Sequence, residues 1–304
     1  MKNFYFQLGA LKGLLYALKA TDFHHENFIA HGEKIVAIDL ETLFQAKVTG
    51  YLNSTDSFNV LDIGMLPTTL SEGEYADVSG MGANSSDTTS GDAWKNTQTD
   101  EMYLGKGDHS KENILSRPSI DSCPSKFILD INSGFSTVYQ LIKGNKTAFL
   151  SRNSLLSNFV GDTIRLVFKN TQTYSDLLWE SYHPSYLRCA LQTNKLLDTL
   201  WGSVPQNYPT AKIIRHEVLD IFNHDIPYFE MTVDSLEVKS ALGNTIDLKL
   251  NERSLDSVKK HISMFSDEQL TTQQWLISNS LKQKENAKQI NEIVISNPFL
   301  TDKK

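Results

Sequence analysis

Between residues 4 and 20 the chain reads FYFQLGALKGLLYALKA, with Phe4, Leu8, Leu11, Leu14, Leu15 and Leu18 recurring at helical intervals. That spacing gathers the apolar side chains near one face and predicts a mostly buried helix, in spite of Gly9 and Gly13. A polar cluster over 21–27 ends it. Then Phe28-Ile29-Ala30, the turn His31-Gly32-Glu33 and Lys34-Ile35-Val36-Ala37-Ile38 predict a β-hairpin. Residues 68–125 change character. They are rich in Ser, Thr, Gly, Asp and Asn (DVSGMGANSSDTTSGD) and weak in periodicity, which predicts a long loop-rich insertion. Order returns at Phe127. Residues 134–143 predict a helix with Phe135, Val138, Tyr139 and Ile142 aligned, and 163–168 a strand that carries the polar Arg165 among apolar neighbours. Helices are predicted over 171–181 and 185–200, broken at His183-Pro184, and again over 212–222. A hairpin around Gly243-Asn244 and helices near 252–264 and 267–282 complete the ordered part, and 283–304 reads as a polar tail or linker. Trp179, Tyr182, Trp201 and Trp275 fall on predicted helices and are expected in the core, as is Cys189.

Composition narrows the function classes. The chain has 304 residues, 40% hydrophobic and 21% charged, enough for a full core. Its net charge is -7 with a pI near 5.6, which argues against a general nucleic-acid binder. Cys123 and Cys189 stand far apart, so neither a disulfide scaffold nor a C-x-x-C metal pair is expected. No apolar run reaches the roughly 18 residues of a membrane span, and no signal peptide opens the chain, so a cytoplasmic location is the expectation.

The candidate chemistry sits around the first hairpin. Asp22 is followed five positions later by Asn27, and Asp39 comes twelve positions after Asn27, across the hairpin. In protein kinases one Asp serves as base, an Asn five positions on holds magnesium, and a later Asp holds the metal that bridges the phosphates. A lone D-x-x-x-x-N is commonly a cap or a turn. Five polar residues bracketing one hairpin, namely Asp22, His24, Asn27, Asp39 and Glu41, point instead to a phosphate–metal site. The loop reads D-x-H-x-E-N and the triplet D-L-E, so this is not an ordinary protein kinase. Helix, polar loop, hairpin and acidic triplet follow the order of a kinase C-terminal lobe. The expected fold is therefore α+β and kinase-like, mostly helical, with a catalytic-loop hairpin and small additional β elements. His25 and His31 have no third ligand at zinc spacing, and no zinc is expected.

The run GALKGLLYALKATDFHHENFIAHGEKIVAIDLETL over residues 9–43 resembles the dehydratase domain of class II, LanM-type lanthipeptide synthetases, whose core is lipid-kinase-like. The resemblance continues through Gly64-Met65-Leu66-Pro67, Val78-Ser79-Gly80-Met81-Gly82, Asn96-Thr97, Asp100-Glu101-Met102 and Asp225-Ile226-Pro227-Tyr228-Phe229. It covers most of 8–282, and implies one partial dehydratase domain over 1–282 with 68–125 as an activation-segment-like insertion. Such domains phosphorylate Ser and Thr of a precursor peptide, leader plus core, with ATP and magnesium. They then eliminate phosphate to leave dehydroalanine or dehydrobutyrine. The resemblance makes Asp22 the base, supported by His24, makes Asn27 and Asp39 the metal ligands, and makes Glu41 an accessory acid near metal and nucleotide. For elimination the family uses a segment R-x-x-x-R-x-T-x-x-Y. Here Arg165, Thr171 and Tyr174 match it, while Lys169 replaces the second Arg, keeping the charge but losing a fork of donors. The 225–229 stretch is expected to shape the fold rather than the chemistry.

The resemblance also implies parts beyond these 304 residues: a nucleotide-binding N-lobe and a C-terminal zinc cyclase. The expectation is an internal piece of a larger enzyme, whether truncated product, split half or excised segment, that binds ATP–magnesium poorly alone. Two other readings stay open: a non-catalytic folded fragment or partner-binding half, and a different small-molecule or lipid-type phosphotransferase.

Overall fold

Helix α1 (Lys2–Ala17) turns Phe4, Tyr5, Leu8, Leu15 and Tyr16 inward, whereas Leu14, expected on the same face, is 42% exposed. The computed structural model describes residues 1–45, 58–67, 79–81, 89–96, 103–109, 124–169, 171–204 and 209–282, with single positions 99, 101 and 118 between them. After α1 come the hairpin strands β1 (Phe28–His31) and β2 (Lys34–Ala37), then β3 (Thr89–Lys95) and β4 (Tyr103–His109). Helices α2 (Ile128–Gly144) and α3 (Lys146–Leu150), strand β5 (Thr163–Arg165), and helices α4 (Thr171–Ser181), α5 (Pro184–Leu187), α6 (Ala190–Leu197) and α7 (Ile214–Phe222) follow. Strands β6 (Phe229–Thr232), β7 (Glu237–Ser240) and β8 (Thr245–Lys249) lead to α8 (Ser254–Ser263) and α9 (Asp267–Leu281). No helix among the described residues is long and apolar enough to cross a membrane.

These elements divide between two compact units. One holds the described residues of Met1–Leu40, Ser57–Gly144 and Phe265–Lys304, the other those of Glu41–Asp56 and Asn145–Met264. In the first, α1 and α2 meet backbone to backbone. A Cβ at Gly9 would collide with the Ile131 carbonyl, and one at Gly134 with the Phe6 carbonyl. Small residues are needed wherever two helices approach that closely. The aromatic core beside this contact joins Tyr16, Phe135 and Tyr139 to Phe265, with the Tyr139 and Phe265 rings stacked at 4.2 Å. Tyr139 also donates to the Ser266 carbonyl at 3.0 Å, and the Ser266 hydroxyl caps α9 by accepting from Gln269 N at 3.1 Å. From α9, Gln273 accepts the Val60 N–H at 2.9 Å and Ser280 donates to the Pro67 carbonyl at 2.7 Å. The 58–67 segment is thereby fixed to a helix.

One inward position of α1 is a lysine. Lys12 is fully buried, and its Nζ lies 3.4 Å from Met81 Sδ. Burial pushes its ammonium well below the usual lysine range.

In the second unit β5, β6, β7 and β8 form an antiparallel sheet in that order. Ile164, Met231, Val238, Ile246 and Leu248 from these strands are buried. A separate cluster gathers Tyr174, Leu197, Leu200, Ile214 and Ile221 from the helices, with Leu177, Leu178 and Val218 packed against it.

Several expectations change. The 68–125 insertion, expected as loop, contains the antiparallel ribbon β3–β4, paired from Thr89↔His109 to Lys95↔Tyr103. The rest of that stretch, apart from 79–81, 96, 99, 101, 118 and 124–125, and the tail 283–304, lie outside the described residues. The 185–200 helix is interrupted at Cys189, whose extended backbone (φ −161°) starts α6 afresh. Trp179, Tyr182, Trp201 and Trp275 are not core residues but are 58%, 40%, 44% and 36% exposed, and Cys189 is exposed too. The reason is visible on α4, where Tyr174 and Ser181 take the fully buried positions and Trp179 falls on another face.

Candidate functional site

The loop of the first unit begins where α1 stops. Lys19 and Asp22 both take left-handed backbone, at φ 51° and 62°, which turns the chain sharply back. Asp tolerates that conformation better than most residues. The Asp22 carbonyl accepts from Asn27 Nδ2 at 2.8 Å, closing the loop on itself. His24 is extended, and its Nδ1 accepts from Glu26 N at 3.3 Å, capping the short 3₁₀ turn His25–Asn27. With Nδ1 accepting, the neutral imidazole carries its proton on Nε2.

Motifs distant in sequence hold this loop. Phe23 N donates to the Ile63 carbonyl at 2.8 Å, Gly80 N to Gly64 O at 3.1 Å and Met81 N to Met65 O at 3.1 Å. His24 pairs with Ser79 across an isolated β-bridge. A Cβ on Gly80 would lie 2.5 Å from the Phe23 carbonyl and 2.6 Å from the Phe28 ring. The described residues of the 64–67 and 78–82 motifs thus brace the loop.

The hairpin then delivers Asp39. Phe28 pairs with Ala37 in the register of β1 and β2, and Ile38 N donates to the Asn27 carbonyl at 3.0 Å. Asp39 is therefore the next residue beyond the one bonded to Asn27. The two-residue turn Gly32-Glu33 fixes that register, with Gly32 at φ 61°. Asn27 is buried, and its Nδ2 is fastened to Asp22, so the other end of the amide is an oxygen. An amide oxygen and a carboxylate are hard oxygen donors of the kind magnesium takes, so Asn27 and Asp39 fit that ion in donor type. His25 lies 4.0 Å from the Glu26 carboxylate, and His31 is exposed at the end of β1.

The second unit holds the other candidates. Arg165, at the end of β5, makes three side-chain contacts among the described residues. Its Nη1 donates to Glu41 Oε1 at 2.8 Å, its Nη2 lies 3.4 Å from Thr171 Oγ1, and its guanidinium stands 5.4 Å above the Tyr228 ring. The main chain helps: Arg165 N donates to Glu41 O at 2.8 Å, and Gln45 donates to Arg165 O at 2.5 Å. Glu41, expected as an accessory acid near metal and nucleotide, accepts from Arg165 through Oε1. Thr171 opens α4.

Beside this group lies a buried acid that sequence reasoning missed. Glu217 on α7 is fully buried and accepts from Lys169 Nζ at 2.8 and 2.5 Å and from the Tyr174 hydroxyl at 2.5 Å. The signal for it was a carboxylate at an inward helical position, four residues from both Ile213 and Ile221. One turn on, Asp220 is 5% exposed, and its Oδ2 has no partner among the described residues. Burial, then the nearby Asp225 and Glu217, push its carboxyl from 3.8 up to about 6, against the lowering effect of a hydrogen bond from the Tyr228 backbone.

The sign of that shift gives a prediction. A carboxyl whose folded pKa is raised supports the fold most below 3.8, and this support is lost as pH rises to about 6. Asp220→Asn is therefore expected to stabilise the protein at pH 7.5 by roughly 1–3 kcal/mol and to change little at pH 4. Thermal melts at the two pH values check this; equal destabilisation at both would sink it.

Comparison with known proteins places these features in a family. Residues 1–232 match the model of a family described as a domain of unknown function, DUF4135. The chain is 28% identical over 261 residues to the lacticin 481/lactococcin biosynthesis protein LcnDR2 of Lactococcus lactis subsp. lactis. That match takes in 81% of this chain and 28% of the relative, so the chain spans little more than a quarter of the relative's length. With well over half of its 304 residues inside the family match, the chain belongs to the DUF4135 family, the lanthionine-synthetase-related group whose LanM-type members its loop, hairpin and Arg165 segment resemble.

Proposed function

We propose that this chain serves lanthipeptide modification, as the kinase-like lower lobe of a dehydratase that phosphorylates Ser and Thr of a precursor peptide and then eliminates phosphate. The observation that carries the reading is the hairpin register, which brings Asp39 next to Asn27 at the loop that holds Asp22 and His24. Family membership supports the biological role: the relative's printed name is that of a lantibiotic biosynthesis protein.

In this reading Asp22 accepts the proton of the attacking side-chain hydroxyl. His24, tied at Nδ1, supports the loop from its Nε2–H side. Asn27 and Asp39 would hold magnesium, which when bound neutralises charge on the transferring phosphoryl of ATP. In the second half-reaction a general base takes the Cα proton, the electron pair forms the Cα–Cβ double bond, and the Cβ–O bond breaks to release inorganic phosphate. Arg165 stabilises the departing phosphate, and Thr171 supplies a hydroxyl beside it. Glu41 and the Tyr228 ring hold the guanidinium in place.

The test uses the chain completed with a nucleotide-binding lobe, given ATP, magnesium and a Ser/Thr/Cys-containing precursor peptide. The expected product has lost one water per modified residue. Peptide returned unmodified by a folded, nucleotide-binding protein would refute the proposal.

A further inference from the structure

Thr171 is gripped from both sides by an acid that never touches it. Lys169 stands two residues before it and Tyr174 three after, and both donate to Glu217 on α7. Glu217 is wholly buried, and the Lys169 side chain is 10% exposed. A buried ion pair is a poor source of stability, because desolvation cancels much of its attraction. What it does supply is direction: two fixed oxygens accept three hydrogen bonds from the residues that bracket Thr171. The same contacts absorb the charge of Lys169. The segment therefore presents one guanidinium, that of Arg165, with Thr171 Oγ1 3.4 Å away.

We propose that Glu217 is a positioning residue for elimination, setting Thr171 against Arg165 through Lys169 and Tyr174, and that Lys169 serves this clamp rather than the phosphate. This rests on the proposed elimination role of Arg165 and Thr171. Loss of the clamp leaves those two residues in place but lets α4 start from a range of positions. Binding of the phosphorylated peptide is then kept while the rate of phosphate departure falls.

The experiment compares Glu217→Gln, the pair Lys169→Met with Glu217→Gln, and Arg165→Ala in the completed enzyme. The paired variant removes both charges together, so no buried ion is left alone if the single change fails to fold. Elimination is followed from a synthetic phosphoserine peptide with nucleotide and magnesium present, and phosphorylation from unmodified peptide with ATP. The expected result is a fall in elimination kcat of about 10–100-fold, the usual size for a supporting residue, with KM for the phosphopeptide and the phosphorylation rate near wild type. A drop in both half-reactions together, or in neither, would overturn the proposal while Arg165→Ala still accumulates phosphopeptide. If Arg165→Ala fails to accumulate it, the elimination reading itself is wrong and the clamp falls with it.

Discussion

Arg165→Ala in the completed enzyme is expected to turn the product from dehydrated peptide into phosphopeptide. The intermediate gains mass where the wild-type product loses water, so mass spectrometry separates the outcomes directly. In the proposed mechanism phosphoryl transfer draws on Asp22, Asn27 and Asp39, which the substitution leaves intact. Elimination must stabilise a phosphate as it departs, and removing one donor aimed at developing charge typically costs about 10²–10³ in rate. Thr171→Ala should behave alike, and Thr171→Ser, which keeps the hydroxyl, should recover most of the activity. Arg165→Lys should recover little, because an ammonium cannot reach Glu41 and Thr171 through two nitrogens at once as the guanidinium does. Arg165→Ala also takes from Glu41 the guanidinium it accepts from at 2.8 Å, so a melting curve must accompany the assay. Unmodified peptide from folded Arg165 and Thr171 variants would assign both residues to nucleotide binding or to the fold.

Asp39→Asn and Asn27→Ala should block the earlier step, leaving neither phosphopeptide nor dehydrated product. Asp39→Asn is the cleaner test: it keeps the shape and removes the charge that would face magnesium. A loss of at least about 10²–10³ in phosphorylation is expected, since phosphoryl transfer depends almost wholly on positioning and charge. Asn27→Ala does more, because it also deletes the 2.8 Å bond that closes the loop on the Asp22 carbonyl. That bond is worth about 1 kcal/mol, so some loss of stability should accompany the loss of activity. Near wild-type phosphorylation by Asp39→Asn would remove the metal assignment.

Much of this molecule was legible in its sequence where one periodicity dominates. Helix α1, the β1–β2 hairpin, α4 and α9 lie close to where the spacing puts them, because each is a continuous run between clear stops. The run MTVDSLEVKS over 231–240 reads as one strand of the Gly243-Asn244 hairpin, but a turn closed by Ser235 N donating to Thr232 O divides it into β6 and β7. The β3–β4 ribbon was missed because its strands, TSGDAWK and YLGKGDH, show no alternation; backbone pairing defines them. In the candidate site, the Asp22–Asn27 spacing is local and readable, as is the distance from Arg165 to Thr171. Glu41 on Arg165, Tyr228 beneath it and Glu217 behind Thr171 are contacts between distant segments, and a single sequence carries no register for those. Lys12 hid for a different reason: a lysine on an apolar helix face reads as a boundary residue, not as a buried one.

The interlock of Gly9 with Ile131 and of Gly134 with Phe6 bears on how such a protein could be re-engineered. Where main chain rests on main chain, no side chain stands between to take up a change in helix position. A graft that replaced α1 alone, to import another loop at its end, would have to match the α2 surface atom for atom. The two helices are best moved as one cassette, with the loop and hairpin carried on it.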